Sequence, residues 1–95
     1  MKAIVINPKD NVASALSKIA KGERVKVGQR EVEVKQDIPF GHKFAIERIE
    51  EGKKVIKYGE AIGRATEDIE VGEHVHVHNV ESLRAKGDLS ERPRG

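Results

Sequence analysis

The sequence contains no cysteine and no tryptophan, and its aromatic residues are Phe40, Phe44 and Tyr58. Without cysteine, disulfides and thiolate metal sites are excluded, and the redox compartment is unconstrained. With so few rings, single-stranded nucleic-acid binding is disfavoured, because base-stacking platforms need exposed aromatic faces. An excess of one charge is also missing. Eighteen Lys and Arg against 16 Asp and Glu give a net charge of +2, interleaved along the chain with no basic stripe. The pI near 9.0 therefore reflects a small excess on a nearly balanced chain. Long hydrophobic runs are absent too. Met1-Lys2-Ala3-Ile4-Val5-Ile6-Asn7-Pro8 is too short an apolar run for a signal peptide or a membrane span. Neither nucleic acid nor membrane is expected as a partner, and a cytoplasmic location is expected. The chain has no P-loop, no Gly-x-Gly-x-x-Gly and no Gly-x-Ser-x-Gly.

What remains is a 95-residue chain with 37% apolar and 36% charged residues, the balance of a small soluble domain. A domain of this size buries a modest core. It has little room for both a deep substrate pocket and a full catalytic set, so a partner chain is expected. The density of Lys, Glu and Arg without Cys or Trp is a composition that suits thermophiles.

Lys2 to Asn7 reads as a first strand ended by Pro8. Asp10 is placed to cap a helix over Asn11 to Ala20, in which Val12, Ala15, Leu16 and Ile19 fall on one face and Gly22 closes the C-terminus. Beyond it the period changes to two. Val25 and Val27, then Val32 and Val34, alternate with charges about a Gly28-Gln29 turn, the pattern of a hairpin. Ile38-Pro39-Phe40-Gly41 reads as a loop, His42 to Ile49 as a strand, Glu51-Gly52 as a turn and Lys54 to Tyr58 as a strand. A short strand is expected around Ile62, with Gly59-x-x-x-Gly63 marking a bend or close backbone packing. Glu73 to Val80 is the last expected strand. Residues 1–83 form one domain on this reading, and 84–95, poor in apolar residues, a mobile tail or linker. The pattern Ile-x-x-Gly-x-x-Val recurs at Ile19, Gly22, Val25, at Ile49, Gly52, Val55 and at Ile69, Gly72, Val75. Each copy puts a Gly where one element ends and a strand begins.

The four histidines fall in two segments. In Glu73-His74-Val75-His76-Val77-His78-Asn79, strand alternation sends Val75 and Val77 to the core and the three histidines to the other face. Next-but-one side chains on one face lie roughly 6.5–7 Å apart. Two imidazoles at that spacing can reach one divalent ion. The end of the segment, His76, His78 and Asn79, is the stronger candidate. The plain alternative is a solvated strand face. The other segment, Gly41-His42-Lys43, sets a possible acid/base beside a permanent cation, a combination suited to a carboxylated substrate. An ordinary hairpin mouth is the alternative there.

Several stretches together resemble the SAF domain of the altronate and galactarate dehydratases. They are Asp10-Asn11-Val12-Ala13, Lys21-Gly22-Glu23, Ile38-Pro39-Phe40-Gly41-His42-Lys43-Phe44-Ala45, Ile56-Lys57-Tyr58-Gly59-Glu60-x-Ile62-Gly63, and Val71-Gly72-Glu73-His74-Val75-His76-Val77-His78-Asn79. The resemblance runs in order from about Asp10 to Ser82. It implies a mainly β fold, the β-clip, as the small subunit or N-terminal domain of a lyase. Such a lyase removes water from an aldonic or aldaric acid with a divalent metal, commonly Fe(2+) or else Mn(2+), and a large catalytic dehydratase subunit. Sulfolactate sulfo-lyase is a related activity. By position, the resemblance implies His42 and Lys43 as catalytic, with His76, His78 and Asn79 serving the metal or hydroxyls. The chain then reads as a stand-alone small subunit or a domain from a longer chain. It is expected to be inactive alone, and self-association is open. Two other classes compete: a non-catalytic carbohydrate- or acid-binding module, and an assembly module like those of pilus and flagellar proteins. The last sits poorly with the absence of an export signal.

Overall fold

The recurring Ile-x-x-Gly unit forms the joints of the fold. In the computed structural model, which describes residues 1–83, Ile19, Ile49 and Ile69 are buried. The glycines Gly22, Gly52 and Gly72 have φ of 87°, 87° and 91°, a left-handed conformation that glycine adopts without steric cost. A fourth joint, Ile38-Pro39-Phe40-Gly41, has the same geometry, with Gly41 at φ 84°. It escapes the sequence pattern because Phe44 stands where the others have Val. The isoleucines meet in pairs, Ile19 with Ile38 and Ile49 with Ile69, each as an antiparallel bridge. At every joint the residue after the glycine donates to the carbonyl three positions back: Glu23 to Ala20, His42 to Pro39, Lys53 to Glu50 and Glu73 to Glu70.

The described residues form nine strands: β1 Ala3–Ile4, β2 Val12–Ala15, β3 Arg24–Val27, β4 Arg30–Glu33, β5 Lys43–Ala45, β6 Lys54–Lys57, β7 Glu60–Ala65, β8 His74–Val75 and β9 Val80–Ser82. They form a four-stranded sheet in the order β1-β2-β5-β8, the hairpin β3-β4 and a three-stranded sheet β6-β7-β9, all paired antiparallel. The four-stranded sheet lies in the middle. Ala13, Ala15 and Phe44 face a core completed by Val25, Val27 and Val32 of the first hairpin. Val12, Ala45 and Val75 face a second core completed by Val55 and Ala65. The mainly β, β-clip class expected from the sequence is what the chain adopts.

The helix expected over Asn11 to Ala20 does not form; the segment is β2 followed by a bend. A strand buried on both faces shows a run of apolar residues instead of alternation, and Val12-Ala13-Ser14-Ala15 is such a run. Its small residues imitate a helical face, while Leu16, assigned to that face, is 43% exposed. Asp10 caps no helix. It is buried and accepts backbone N–H groups from Asn7 and Gly59 at 3.2 and 2.8 Å. Burial works against its charge, but these bonds prevail and hold its pKa below the usual carboxylate value. Asn11 fills the β-bulge at Val55/Ile56, accepting from Ile56 N and donating to Lys54 O at 2.8 and 3.0 Å. Gly63 does mark close packing: a Cβ there would lie 2.4 Å from Val80 Cγ1.

The last expected strand is also shorter than the sequence pattern. β8 ends at Val75, residues 76 to 79 turn, and β9 begins at Val80. Val75 is buried, but Val77 is 82% exposed instead of entering the core. The proposed tail, 84–95, lies outside the described residues. No helix among the described residues is long and apolar enough to cross a membrane.

Candidate functional site: an imidazole cluster at the end of the central sheet

The site follows from the β5–β8 register. Lys43 pairs with Val75 and Phe44 with His74, and the same register continued by one residue brings His42 opposite His76. His42 is set by the Pro39–His42 joint, and its carbonyl accepts from Ala15 N at 2.8 Å. His74 lies on the outer strand of the sheet, where its N–H is satisfied by Gln36 Oε1 at 2.8 Å. His76 opens the turn after β8.

That turn is tied by Asn79. Its Oδ1 accepts from His76 N at 3.0 Å and its Nδ2 donates to His74 O at 2.9 Å. The side chain is 3% exposed and both its polar ends are engaged by the backbone of the histidine segment. Asn79, expected to contact substrate, is placed to support His74 and His76.

The three rings come together. His42 Nδ1 lies 2.8 Å from His74 Nε2, and the ring centroids of His42 and His76 are 4.2 Å apart with planes 18° from parallel. One nitrogen from each of His42, His74 and His76 lies within 4.8 Å of the others. The short contact needs an N–H on one ring and a lone pair on the other, so two imidazolium rings cannot make it. Burial, and then the charges of His42, His78, His76 and Lys43, push the His74 pKa down to about 4. The His76 pKa is lowered by burial and then by His42, Lys43 and His78. Both shifts favour the neutral imidazole of His74 and His76, the form that binds metal ions.

Sequence reasoning paired His76 with His78. The structure groups His76 with His42 and His74, while the exposed His78 stands beside the group with its ring 5.3 Å from that of His74 and tilted by 38°. Lys43 emerges on the opposite face of β5 from His42. It is half-buried, and burial, followed by repulsion from Lys57, lowers its pKa. The meeting of His42 with His74 was hidden by their separation along the chain. A signal was available: each histidine follows the glycine of an Ile-x-x-Gly joint, and the joints align β5 beside β8.

A metal fits this donor set, since three imidazoles within reach of one point are a common set for divalent transition ions. His42, His74 and His76 would hold it.

Residues 1–83 match the altronate/galactarate dehydratase SAF domain. The chain is 47% identical over 83 residues to altronate dehydratase of Bacillus subtilis, covering 86% of this chain and 17% of that protein. It is 49% identical over 79 residues to altronate dehydratase of Escherichia coli, covering 83% of this chain and 16% of that protein. It is 56% identical over 52 residues to the (2R)-sulfolactate sulfo-lyase subunit alpha of Chromohalobacter salexigens, covering 55% of each. The chain thus spans less than a fifth of either dehydratase. With the β-clip fold and the match over all described residues, the chain belongs to the altronate/galactarate dehydratase SAF domain family.

Proposed function

We propose that the chain is the SAF part of a cytoplasmic lyase that eliminates water from a 2,3-dihydroxy sugar acid, acting with a large catalytic region. The observation that carries this reading is the convergence of His42, His74 and His76 at one end of the central sheet. Elimination needs a base for the proton α to the carboxylate, stabilisation of the enediolate and help for the departing hydroxide. A divalent metal, Fe(2+) or Mn(2+), when bound by the three imidazoles, supplies Lewis-acid polarisation of a substrate oxygen. Asn79 and Gln36 hold the backbone of the ligands in place. On this reading His78, exposed beside them, contacts the substrate. Removal of the α-proton, on the same reading, belongs to the large catalytic region.

A related reading, the small subunit of a sulfolactate sulfo-lyase, is favoured by one observation. The chain covers 75% of the subunit alpha of Paracoccus pantotrophus, at 52% identity over 50 residues. Both readings are tested together. The chain is purified alone and with a dehydratase catalytic region, and each sample is assayed with altronate, galactarate and sulfolactate. Turnover is expected only from the assembled protein, and the substrate turned over separates the two readings. Turnover by the chain alone, or full turnover by the assembly after His42→Ala, His74→Ala and His76→Ala, would reject the proposed role of the cluster.

A further inference from the structure

Beside the imidazole cluster, on the opposite face of β5, lies an open groove of about 240 Å³ between β7, β8 and β9. Lys43, His76 and Ser82 line it together with Ile62, Val75 and Val80. Lys43 is the charged group in this lining. Its cross-strand neighbours are Ser14 and Val75, neither of which carries charge. Among the described residues no carboxylate lies within ion-pair distance of Lys43, and Glu81 of β9 is directed to Arg64 at 3.8 Å. Another charge that acts on Lys43 is Lys57, of the same sign. A half-buried ammonium facing a second cation, with no acid opposite, is unfavourable until an anion arrives.

We propose that this groove is the subsite for an acid group of a small hydroxy acid, with Lys43 as its anchor. The substrate class rests on the lyase reading above. The groove is smaller than the roughly 300–1,000 Å³ of sites for drug-sized ligands, so it suits a short acid and not a coenzyme. A carboxylate on Lys43 gains a charge-assisted hydrogen bond. The adjoining hydroxyls meet His76, and the C–H face of the carbon chain lies on Ile62, Val75 and Val80. Because His76 belongs both to the groove lining and to the imidazole cluster, an acid anchored on Lys43 lies next to the cluster. Lys43 then acts as a positioning and specificity-determining residue.

The test uses the metal-free 95-residue chain, labelled with 15N, and titrates it with three probes: tartrate, the neutral tetrol threitol, and sulfate. Tartrate is expected to shift the amides of Val75, Val77 and Val80 saturably, and threitol at equal concentration to leave them unmoved. Lys43→Met is expected to weaken tartrate about ten-fold or more, the usual scale for losing a hydrogen bond between charged groups. Lys43→Arg, which keeps the charge, is expected to retain most of the affinity and checks that the groove is intact. Tartrate binding unchanged by Lys43→Met, or threitol binding equal to that of tartrate, would overturn the anchor. Sulfate binding as tightly as tartrate would overturn the hydroxy-acid assignment. Since no metal is present, a failure here is separate from a failure of the imidazoles to hold one.

Discussion

His74 carries the sharpest physical consequence of any single residue. Its pKa in the folded protein is about 4, against about 6.5 for an unperturbed histidine. Between these values the unfolded chain binds a proton that the folded chain refuses. Stability from this residue is therefore complete above about pH 6.5 and falls as the pH drops towards 4. Denaturant titrations of the metal-free chain at pH 7.5 and 5 should show this loss, and His74→Gln should flatten the difference. An unchanged pH slope in that variant would mean that the imidazole is not held neutral by its surroundings. Gly72 gives a second contrast. A Cβ there would lie 2.1 Å from Glu33 O, whereas at Gly22, with a similar positive φ, nothing lies within 4 Å. Gly22→Ala should cost about 1–2 kcal/mol, the usual strain of a left-handed residue. Gly72→Ala should cost clearly more, because a strand carbonyl must also move. Equal melting temperatures for the two variants would contradict that crowding.

At the level of elements, the turn after β8 depends on Asn79. Asn79→Ala removes one acceptor and one donor from a buried position and leaves His76 N and His74 O without those partners. The loss should be about 1–3 kcal/mol or more, the cost of orphaned buried polar groups. Metal affinity should fall with it, because the same bonds place His74 and His76. Chemical denaturation and metal titration of this variant check both effects; a stable protein with weakened metal binding would assign Asn79 to the site alone. The elements also show what the sequence made legible. The hairpin β3–β4 was readable because one of its faces is buried and the other solvated, so Val25, Val27 and Val32 alternate with charges. β2 was not, because burial on both faces erases alternation. The histidine segment alternates along its length, but alternation cannot reveal where a strand stops. Asn79, polar and buried, is the residue that turns it.

On the scale of the whole molecule, the chain contains its own plan twice. Ile49 follows Ile19 by 30 residues and Ile69 follows Ile38 by 31, and each pair of joints frames one hairpin, β3–β4 or β6–β7. The two hairpins cover opposite faces of a shared sheet, so neither core is complete without the strands of the other half. Unfolding is therefore expected as a single transition. Methyl signals of Val25 in one core and Val55 in the other should disappear at the same denaturant concentration, and separated midpoints would show two independent halves. The candidate site breaks this symmetry, since its histidines lie in β8 or next to β5 and β8 and have no counterparts in the first half. That asymmetry was visible in the sequence as the clustering of all four histidines after Gly41; their convergence needed the register.

The central sheet has a consequence for how fast and how selectively the cluster can work. Its strands are shielded on both faces, and the backbone of every clustered histidine is fastened by a joint, a side-chain amide or a neighbouring strand. The conformational entropy of aligning three rings is thus lost when the chain folds and not when a ligand arrives. Capture needs little rearrangement, so a ligand that matches the preset positions is favoured over one that asks the rings to move.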